Sequence, residues 1–257
     1  MALRLSIVIP VWNDSTALAD CLGRLRAPEA PPVEIVVSDA SPDDSEQARV
    51  QSIARAHHAR VLTAPRPSRG AQLAAGAAAA TGEVIVFSHA DTQLAARHLY
   101  ALLARLDEEP GLQAGGFHRE VGSLYPALAW AEPVVHWYMA ELGTLYGDQS
   151  PFIRRETLAR LGGYPDLPLM EDLAFSDLLR RHLGRNERAL LHPSLPTSPR
   201  RFRHRGTLRT KLHNLAFTAA WRFGLATPDQ LHRRYYAAGP APAKARKPAP
   251  FGASTDE

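Results

Sequence analysis

The amino-acid sequence predicts an α/β fold in which a mostly parallel sheet is flanked by helices, with a C-terminal helical extension. Three observations predict it. Short apolar runs alternate with segments of helical periodicity up to Pro110, and the clearest of these runs are followed at once by polar residues. After residue 113 the regular alternation of strands and helices is lost. Because strands that alternate with helices of about 10–12 residues imply βαβ units, we expect parallel strands with right-handed crossovers.

Four strands and four helices are predicted before Pro110. The first strand ends at Pro10, and the helix after it has apolar residues at helical spacing, with Ser15 or Thr16 as its N-cap. In chain order, the predicted strands are 5–10, 33–38, 60–63 and 83–88, and the predicted helices are 17–25, 45–56, 69–80 and 96–107.

The second half is less regular. Strands are predicted at 114–117 and 150–153, and helices at 125–142, 171–182 and 206–223. The domain prediction is therefore an α/β domain over 1–198 and a basic helical extension packed on it over 199–238. A tail over 239–257 is expected to be disordered because it is rich in proline and poor in apolar residues.

Length and composition limit the class of protein. The chain has 257 residues, enough for one sizeable domain with an appendage. A single cysteine, Cys21, excludes an intrachain disulfide, indicates a reducing compartment and, in its apolar helical setting, is expected in the core. The sequence has neither a signal-peptide pattern nor a run of about 18 apolar residues, so we expect a cytoplasmic protein.

Charge is unevenly distributed along the chain. The net charge is +4, but the segment from Pro199 to Tyr236 holds nine Lys or Arg residues and one acid, Asp229, so the rest of the chain sums to −4. A basic segment beside an acidic body suggests a phosphate-bearing partner. Nucleic acid, an anionic membrane surface and a nucleotide diphosphate all fit that description.

Two buried strands each deliver a carboxylate where they end. Asp39 ends the second strand, and Asp91 follows the fourth strand with His89 two places before it. Ligands of open parallel sheets sit beyond the carboxyl ends of the strands, so these acids indicate a nucleotide site. Asp91 is the predicted ligand of Mg²⁺ or Mn²⁺, which often take only one or two protein carboxylates beside substrate phosphates. The alternative is that both acids only cap turns.

Three further segments are candidates for the same site. The polar turn after the first strand, with Asn13 and Asp14, is typical of a nucleotide pocket, and Trp12 could stack on a base or lie in the core. Arg69 opens a helix whose N-terminus attracts phosphate, although a plain helix start is the better account of this turn taken alone. Glu171 and Asp172 open a later helix, where either acid could be a general base or could simply complement the helix dipole.

The order of these motifs resembles the family-two glycosyltransferases, over roughly residues 3 to 180. The resemblance is carried by the residues 6–10 with 13–14, 36–43, 69–76, 89–91 and 171–172. The segments 147–149 and 168–172, with the basic stretch 200–202, are similar to a subgroup associated with arsenosugar biosynthesis. In that family, the metal motif usually begins with Asp where this chain has His89, and Ala40 stands where glycine is common.

The resemblance implies a GT-A-like (Rossmann-like) fold and a metal-dependent, inverting transfer of sugar from a nucleotide-diphosphate donor, with a UDP-linked sugar as the candidate. It implies that Asp39 binds the base, Arg69 the diphosphate and Asp91 the cation, and that Glu171 or Asp172 takes the proton from the acceptor. The predicted substrate-binding residues are Pro10, Asn13, Asp14, Asp39, Arg69, His89, Ala90, Asp148 and Gln149.

Two rival functions remain at the level of the sequence. A sugar nucleotidyltransferase would keep the fold, but that class usually has a Gly-rich loop with a lysine where this chain has Trp12 to Ser15. A basic nucleic-acid-binding module would use residues 199–236, but would not need the ordered acids of the first half, so we expect no nucleic-acid partner. The basic helix is either packed on the domain with a solvated charged face or attached peripherally to an anionic membrane surface at the inner membrane face.

Overall fold

The computed structural model describes residues 4–120, 143–196 and 216–237. The first part contains β1 (Leu5–Val11), α1 (Ser15–Leu25), β2 (Glu34–Asp39), α2 (Asp44–Ala56), β3 (Arg60–Thr63), α3 (Arg69–Ala79), β4 (Val84–Phe87), α4 (Ala96–Glu108) and β5 (Ala114–Glu120). After residue 143 follow β6 (Phe152–Arg154), α5 (Arg155–Arg160), α6 (Glu171–His182), β7 (Arg188–Pro196), a helical segment 216–222 and α7 (Pro228–Ala237). Short 3₁₀ turns lie at Gly147–Gln149 and Arg185–Glu187.

These elements form one seven-stranded sheet in the order β3-β2-β1-β4-β6-β5-β7. The pairs β1–β2, β1–β4, β2–β3 and β5–β7 are parallel, and β6 runs antiparallel to both of its neighbours. The predicted α/β class with a mostly parallel sheet is therefore confirmed. Because β1, β2 and β4 are adjacent and parallel, their carboxyl ends meet at one edge of the sheet.

Apolar side chains alternate between the two faces of the sheet, so the protein has three layers. Ile7 and Ile9 of β1 face a core that includes Leu22 of α1 and Leu102 of α4. Val8 faces the opposite core, which includes Phe175 of α6. Cys21 is buried in the first core, as expected, and burial raises the pKa of its thiol to about 11. Covering both faces explains why the strands are continuous apolar runs.

Several predictions lie outside the described residues: the helix 125–142, the basic stretch 200–202, the beginning of the helix 206–223 and the tail 239–257. Within the described ranges, the prediction missed β7, α5 and α7. The edge strand β7 was missed because it contains Pro193 and Pro196 and its residues are mostly half-exposed, which is not a strand pattern. No helix in the described ranges is long and apolar enough to cross a membrane.

Candidate active site

A cavity of about 250 Å³ opens at the sheet edge where β1, β2 and β4 end. It is bordered by the end of β1 and the turn after it, by the start of α3, and by the turn after β4. Its lining residues are Pro10, Val11, Trp12, Asp14, Pro67, Arg69, Gln72, His89, Ala90 and Asp91. The structure therefore brings six of the predicted site residues, from three separate segments, into one cavity.

The turn after β1 is held by side-chain hydrogen bonds to the neighbouring loop and to the start of α1. Asn13 adopts a left-handed conformation (φ 51°) and its N–H donates to Ser41 Oγ at 2.9 Å. Asp14 is the N-cap of α1, with Oδ1 accepting from Ala17 N at 3.2 Å, so the expectation of a cap at Ser15 or Thr16 was wrong by one residue or two. Asp14 therefore lines the cavity as it caps the helix.

Asp39 lies opposite Val11 in the register of β1 and β2, beside the cavity but outside its immediate lining. The side chain is only 5% exposed, and Oδ1 accepts from both Ser41 N (2.9 Å) and Ser41 Oγ (2.7 Å). Ser41 in turn accepts from the turn that carries Asn13. Asp39 thus fixes the end of β2 and links it to the turn after β1.

The turn after β4 presents His89, Ala90 and Asp91 to the cavity. It is closed by a hydrogen bond from Thr92 N to His89 O at 3.0 Å, and Arg24 of α1 donates to Thr92 O, also at 3.0 Å. Among the described residues, no group of three or more His, Cys, Asp or Glu side chains is arranged to hold a metal ion by itself. The Asp91 carboxylate beside an imidazole fits a cation that takes its remaining ligands from phosphate and water.

Arg69 is the positively charged residue of the cavity lining. It opens α3, whose N-cap Ser68 accepts from Ala71 N at 3.2 Å, and its Nε donates to Glu171 Oε1. Burial acts to lower the pKa of Arg69, but the carboxylates of Glu171 and Asp172 outweigh it and hold that pKa above its ordinary value. Arg69 therefore stays a cation beside the cavity.

The two acids at the start of α6 have different surroundings. Glu171 is 1% exposed, and its Oε2 has no hydrogen-bond partner in the described part of the chain. Burial raises the pKa of the Glu171 carboxyl, although Arg69 opposes this. Asp172 is only half-buried, with Oδ2 accepting from Gly147 N at 3.1 Å and Oδ1 from Leu173 N at 2.8 Å. Neither acid belongs to the immediate lining of the cavity.

Gly147 connects Asp172 to the cavity. A Cβ atom built on Gly147 would lie 2.5 Å from Nε2 of His89, so the imidazole packs directly against this glycine. The same residue donates its N–H to Asp172. The Asp172 carboxylate is thus linked to the cavity wall through a single residue, Gly147.

Asp148 and Gln149, like Asn13, Asp39 and the two acids of α6, lie outside the cavity lining. Asp148 Oδ2 pairs with Arg119 Nη1 at 3.0 Å, and Arg119 also lies over the ring of Tyr146. Gln149 is completely buried, donating to Phe117 O (3.0 Å) and accepting from Tyr146 N (2.9 Å). The amide of Gln149 is therefore occupied by the backbone that it holds in place.

Sequence reasoning missed Gln72, which is 4% exposed and lines the cavity. Its Nε2 donates to Val11 O at 2.6 Å and to Ser38 O at 2.9 Å. This amide therefore links Val11, the last residue of β1, to Ser38, the residue before Asp39 in β2. Its position three residues after Arg69, on the same helix face, is the one sequence signal that could have identified it.

Comparison with known proteins gives consistent results. The model of the family "Glycosyl transferase family 2" matches residues 6–145. Uncharacterized glycosyltransferases of Mycobacterium tuberculosis and Mycobacterium bovis are each 31% identical over 170 residues, covering 62% of this chain and 74% of the relative.

Solved structures share the fold. A mannosyltransferase, PcManGT from Pyrobaculum calidifontis, in complex with GDP-Man and Mn²⁺, superposes with a TM-score of 0.65 at 21% identity, covering 92% of this chain and 70% of the other. Glucosyl-3-phosphoglycerate synthase from Mycobacterium tuberculosis, solved with Mn²⁺, UDP and glucosyl-3-phosphoglycerate, gives a TM-score of 0.54 at 24% identity, covering 73% and 69%. The GT-A-like fold is thereby confirmed.

Proposed function

The chain belongs to glycosyl transferase family 2 and is a glycosyltransferase, and on that premise we propose that it transfers a sugar from a nucleotide-diphosphate donor to an acceptor hydroxyl, with a divalent cation and with inversion at the anomeric carbon. The observation that carries the proposal is the cavity shared by the end of β1, the start of α3 and the turn after β4. It brings the Asp91 carboxylate and the Arg69 cation into one cavity, which suits a cation and a diphosphate bound side by side.

In this proposal the donor lies along the edge formed by β1, β2 and β4. Asp39 accepts a hydrogen bond from an imide N–H of the base, and Trp12, whose side chain is 55% exposed at the cavity, stacks on it. Pro10, Asn13 and Asp14 form the wall beside the nucleoside. The bound UDP and GDP-Man of the two structural relatives support a nucleoside diphosphate as the recognised group.

The diphosphate is bound next to Arg69. The contact with Glu171 engages Nε, rather than the two terminal nitrogens that make bidentate contacts with phosphate. Asp91, with His89 and Ala90 in the same turn, holds the cation, and Mn²⁺ in both relatives supports this assignment. When bound, a divalent cation offsets the negative charge that develops on the departing diphosphate. Arg69 would contribute to the same stabilisation through its positive charge.

Asp172 is the proposed general base. Asp172 is more exposed than Glu171, whose carboxylate already accepts from Arg69. The N–H groups of Gly147 and Leu173 donate to the Asp172 carboxylate and fix its orientation. Asp172 takes the proton of the acceptor hydroxyl as the acceptor oxygen bonds to the anomeric carbon. The bond from that carbon to the diphosphate oxygen breaks, and the nucleoside diphosphate leaves with the electron pair. This direct displacement inverts the configuration.

The subgroup associated with arsenosugar biosynthesis stays a prediction. It rests on the residues 147–149 and 168–172, with the basic stretch 200–202 outside the described residues. Of these, Gly147 and Asp172 contact each other, which supports a shared role on the acceptor side of the site. Neither residue identifies the acceptor.

A thermal-shift experiment tests the donor side of the proposal. Nucleoside diphosphates at about 100 times their Kd should stabilise the native protein by about 2.7 kcal/mol, and the shift should require Mn²⁺. Asp91→Asn should lose the shift, while Asp107→Asn, in an exposed ion pair with Arg4, should keep it. A shift that persists without Mn²⁺ or in Asp91→Asn would remove the metal assignment, and no shift with any nucleoside diphosphate would refute the proposal.

A second measurement separates the two acids at the start of α6. Release of nucleoside diphosphate from the nucleotide sugar, with water as the acceptor, reports on the base without knowledge of the natural acceptor. Asp172→Asn should lower this rate by about a hundredfold and leave nucleotide affinity intact. Glu171→Gln should instead weaken nucleotide affinity through Arg69. The reverse pattern would make Glu171 the base.

A further inference from the structure

A tight turn joins the helical segment 216–222 to α7 and presents two large apolar side chains to solvent. Phe223 is 77% exposed and Leu225 is 76% exposed. Gly224 between them is left-handed (φ 64°), a conformation that this residue adopts without strain. The N–H groups of all three residues donate to carbonyls at the end of the preceding helix, at 2.8–3.1 Å. The exposure of both side chains is thus set by an ordered, hydrogen-bonded turn.

The turn is also fixed relative to the body of the protein. Leu231 of α7 is 1% exposed, and Nδ1 of His232 lies 3.1 Å from Pro168 O. On the other side of the turn, Arg222 Nη2 donates to Thr144 Oγ1 at 3.1 Å. The extension therefore contacts the segment that leads to Asp172 and the segment that leads to Gly147.

The shape and charge of this region fit a lipid bilayer. Single exposed apolar residues are normal on a protein surface, but here two flank one glycine in a single turn. Two side chains offer far less area than the roughly 800 Å² per partner of a standard protein interface. The described extension, 216–237, has three arginines against one acid, and the sequence 199–236 as a whole carries +8. Apolar side chains beside basic residues are typical of segments that bind the surface of anionic membranes.

We propose that the turn 223–225 is a docking tip for an anionic membrane surface, with Phe223 and Leu225 entering the headgroup region and Arg233 and Arg234 near the lipid phosphates. The contacts to Pro168 and Thr144 place the Asp172 side of the site next to the docked extension. If the proposed function holds, an acceptor carried by a lipid reaches Asp172 from the membrane side.

Sedimentation with vesicles tests the docking tip. The full chain should bind vesicles of phosphatidylcholine with phosphatidylglycerol, bind pure phosphatidylcholine weakly, and be released by high salt. The double variant Phe223→Ser, Leu225→Ser should lower the partition coefficient at least about tenfold, as expected when two large apolar side chains are withdrawn from an apolar phase. Tyr100→Ser, which removes another exposed aromatic residue (52%) on α4, should bind as the unmodified chain does.

The proposal would be overturned by no binding to anionic vesicles, by equal binding of the double variant, or by a charge-dependent preference for duplex DNA over the vesicles. Self-association that disappears in the double variant, seen by light scattering without lipid, would assign the turn to a second copy of the chain instead. The double variant should keep the Mn²⁺-dependent thermal shift with nucleoside diphosphates, which also shows that it folds. Since vesicle binding needs no donor or metal, a failure here is distinguishable from a failure of the proposed function.

Discussion

Replacing Gln72 by Met tests whether the amide that joins β1 and β2 shapes the donor site. Methionine has nearly the same length and can occupy the same space, but it donates no hydrogen bond. The variant loses the bonds to Val11 O (2.6 Å) and Ser38 O (2.9 Å). At about 1 kcal/mol net for each bond, the free energy of unfolding should fall by about 2 kcal/mol. Val11 O keeps a second donor, Ala40 N at 3.0 Å, which limits the cost of leaving that carbonyl buried.

The stability loss alone would not distinguish Gln72 from any other buried amide, so the assay compares two properties. Urea unfolding gives the change in stability, and calorimetry with a nucleoside diphosphate and Mn²⁺ gives the change in affinity. Gln113→Met is the matched control: it also loses two hydrogen bonds, to Gly111 O (3.1 Å) and from Thr157 Oγ1 (2.6 Å), but it lies outside the cavity lining.

We expect both variants to lose stability, while only Gln72→Met loses nucleotide affinity, by about tenfold or more, because Val11 and Ser38 come directly before the segments proposed to bind the nucleoside. Gln72→Glu should be worse than Gln72→Met, because a carboxylate in that place faces two carbonyl oxygens with no proton to donate. Equal nucleotide affinity in Gln72→Met and Gln113→Met would refute the reasoning.

Three other predictions follow from single contacts. Gly147→Ala places a Cβ 2.5 Å from the cavity-lining imidazole of His89 and should lower turnover by about tenfold or more. Gly111→Ala, where a Cβ meets nothing within 4 Å, should leave turnover unchanged. Similar turnover in the two variants would exclude a role for the contact between Gly147 and His89. Glu171→Gln should lower the free energy of unfolding by about 2–3 kcal/mol, somewhat less than breaking a fully buried ion pair, because the Arg69 side chain is 29% exposed. Asp107→Asn, in an exposed ion pair, should lower it by less than about 1 kcal/mol. Urea unfolding measures both changes, and equal losses would contradict the burial argument. Burial lowers the pKa of His98, so the contribution of the neutral imidazole to stability is complete above about pH 6.5 and falls as the pH drops toward the folded-state pKa. His98→Gln should therefore flatten the dependence of the melting temperature on pH in that range. An unchanged pH profile would show that His98 is not the source of the dependence.

The position of the proposed donor-side residues at one edge of the sheet could be predicted because the sequence signals for it are local. Buried parallel strands are short apolar runs, and a polar residue directly after such a run must lie at the carboxyl edge of the sheet. Asp91 and Asp39 were found in this way, and Arg69 by its place at a helix start. The register of β1 with β2 and with β4 then brings the ends of these three strands together. No long-range contact had to be guessed for this result.

The remaining site residues depend on contacts that sequence spacing does not encode. The partners of Gln72 are 61 and 34 residues away, and its place on the same helix face as Arg69 does not indicate that its amide links two strands. Gln149 shows the opposite error: a polar residue in a loop was expected at the substrate, but its amide is buried against the backbone. Residue type indicates what a side chain can bind, whereas burial decides whether backbone or ligand is bound.

The two halves of the candidate site are joined by few contacts. The strand ends and α3 supply the proposed donor side, while α6 and the turn around Gly147 supply the proposed acceptor side. Arg69 with Glu171, and Gly147 with both His89 and Asp172, connect them. A diphosphate bound at Arg69 would therefore contact the same arginine that pairs with Glu171, the residue next to the proposed base Asp172. Because Glu171 is buried against Arg69, we expect a diphosphate at Arg69 to alter the start of α6 before the acceptor arrives, so that donor binds first and acceptor second.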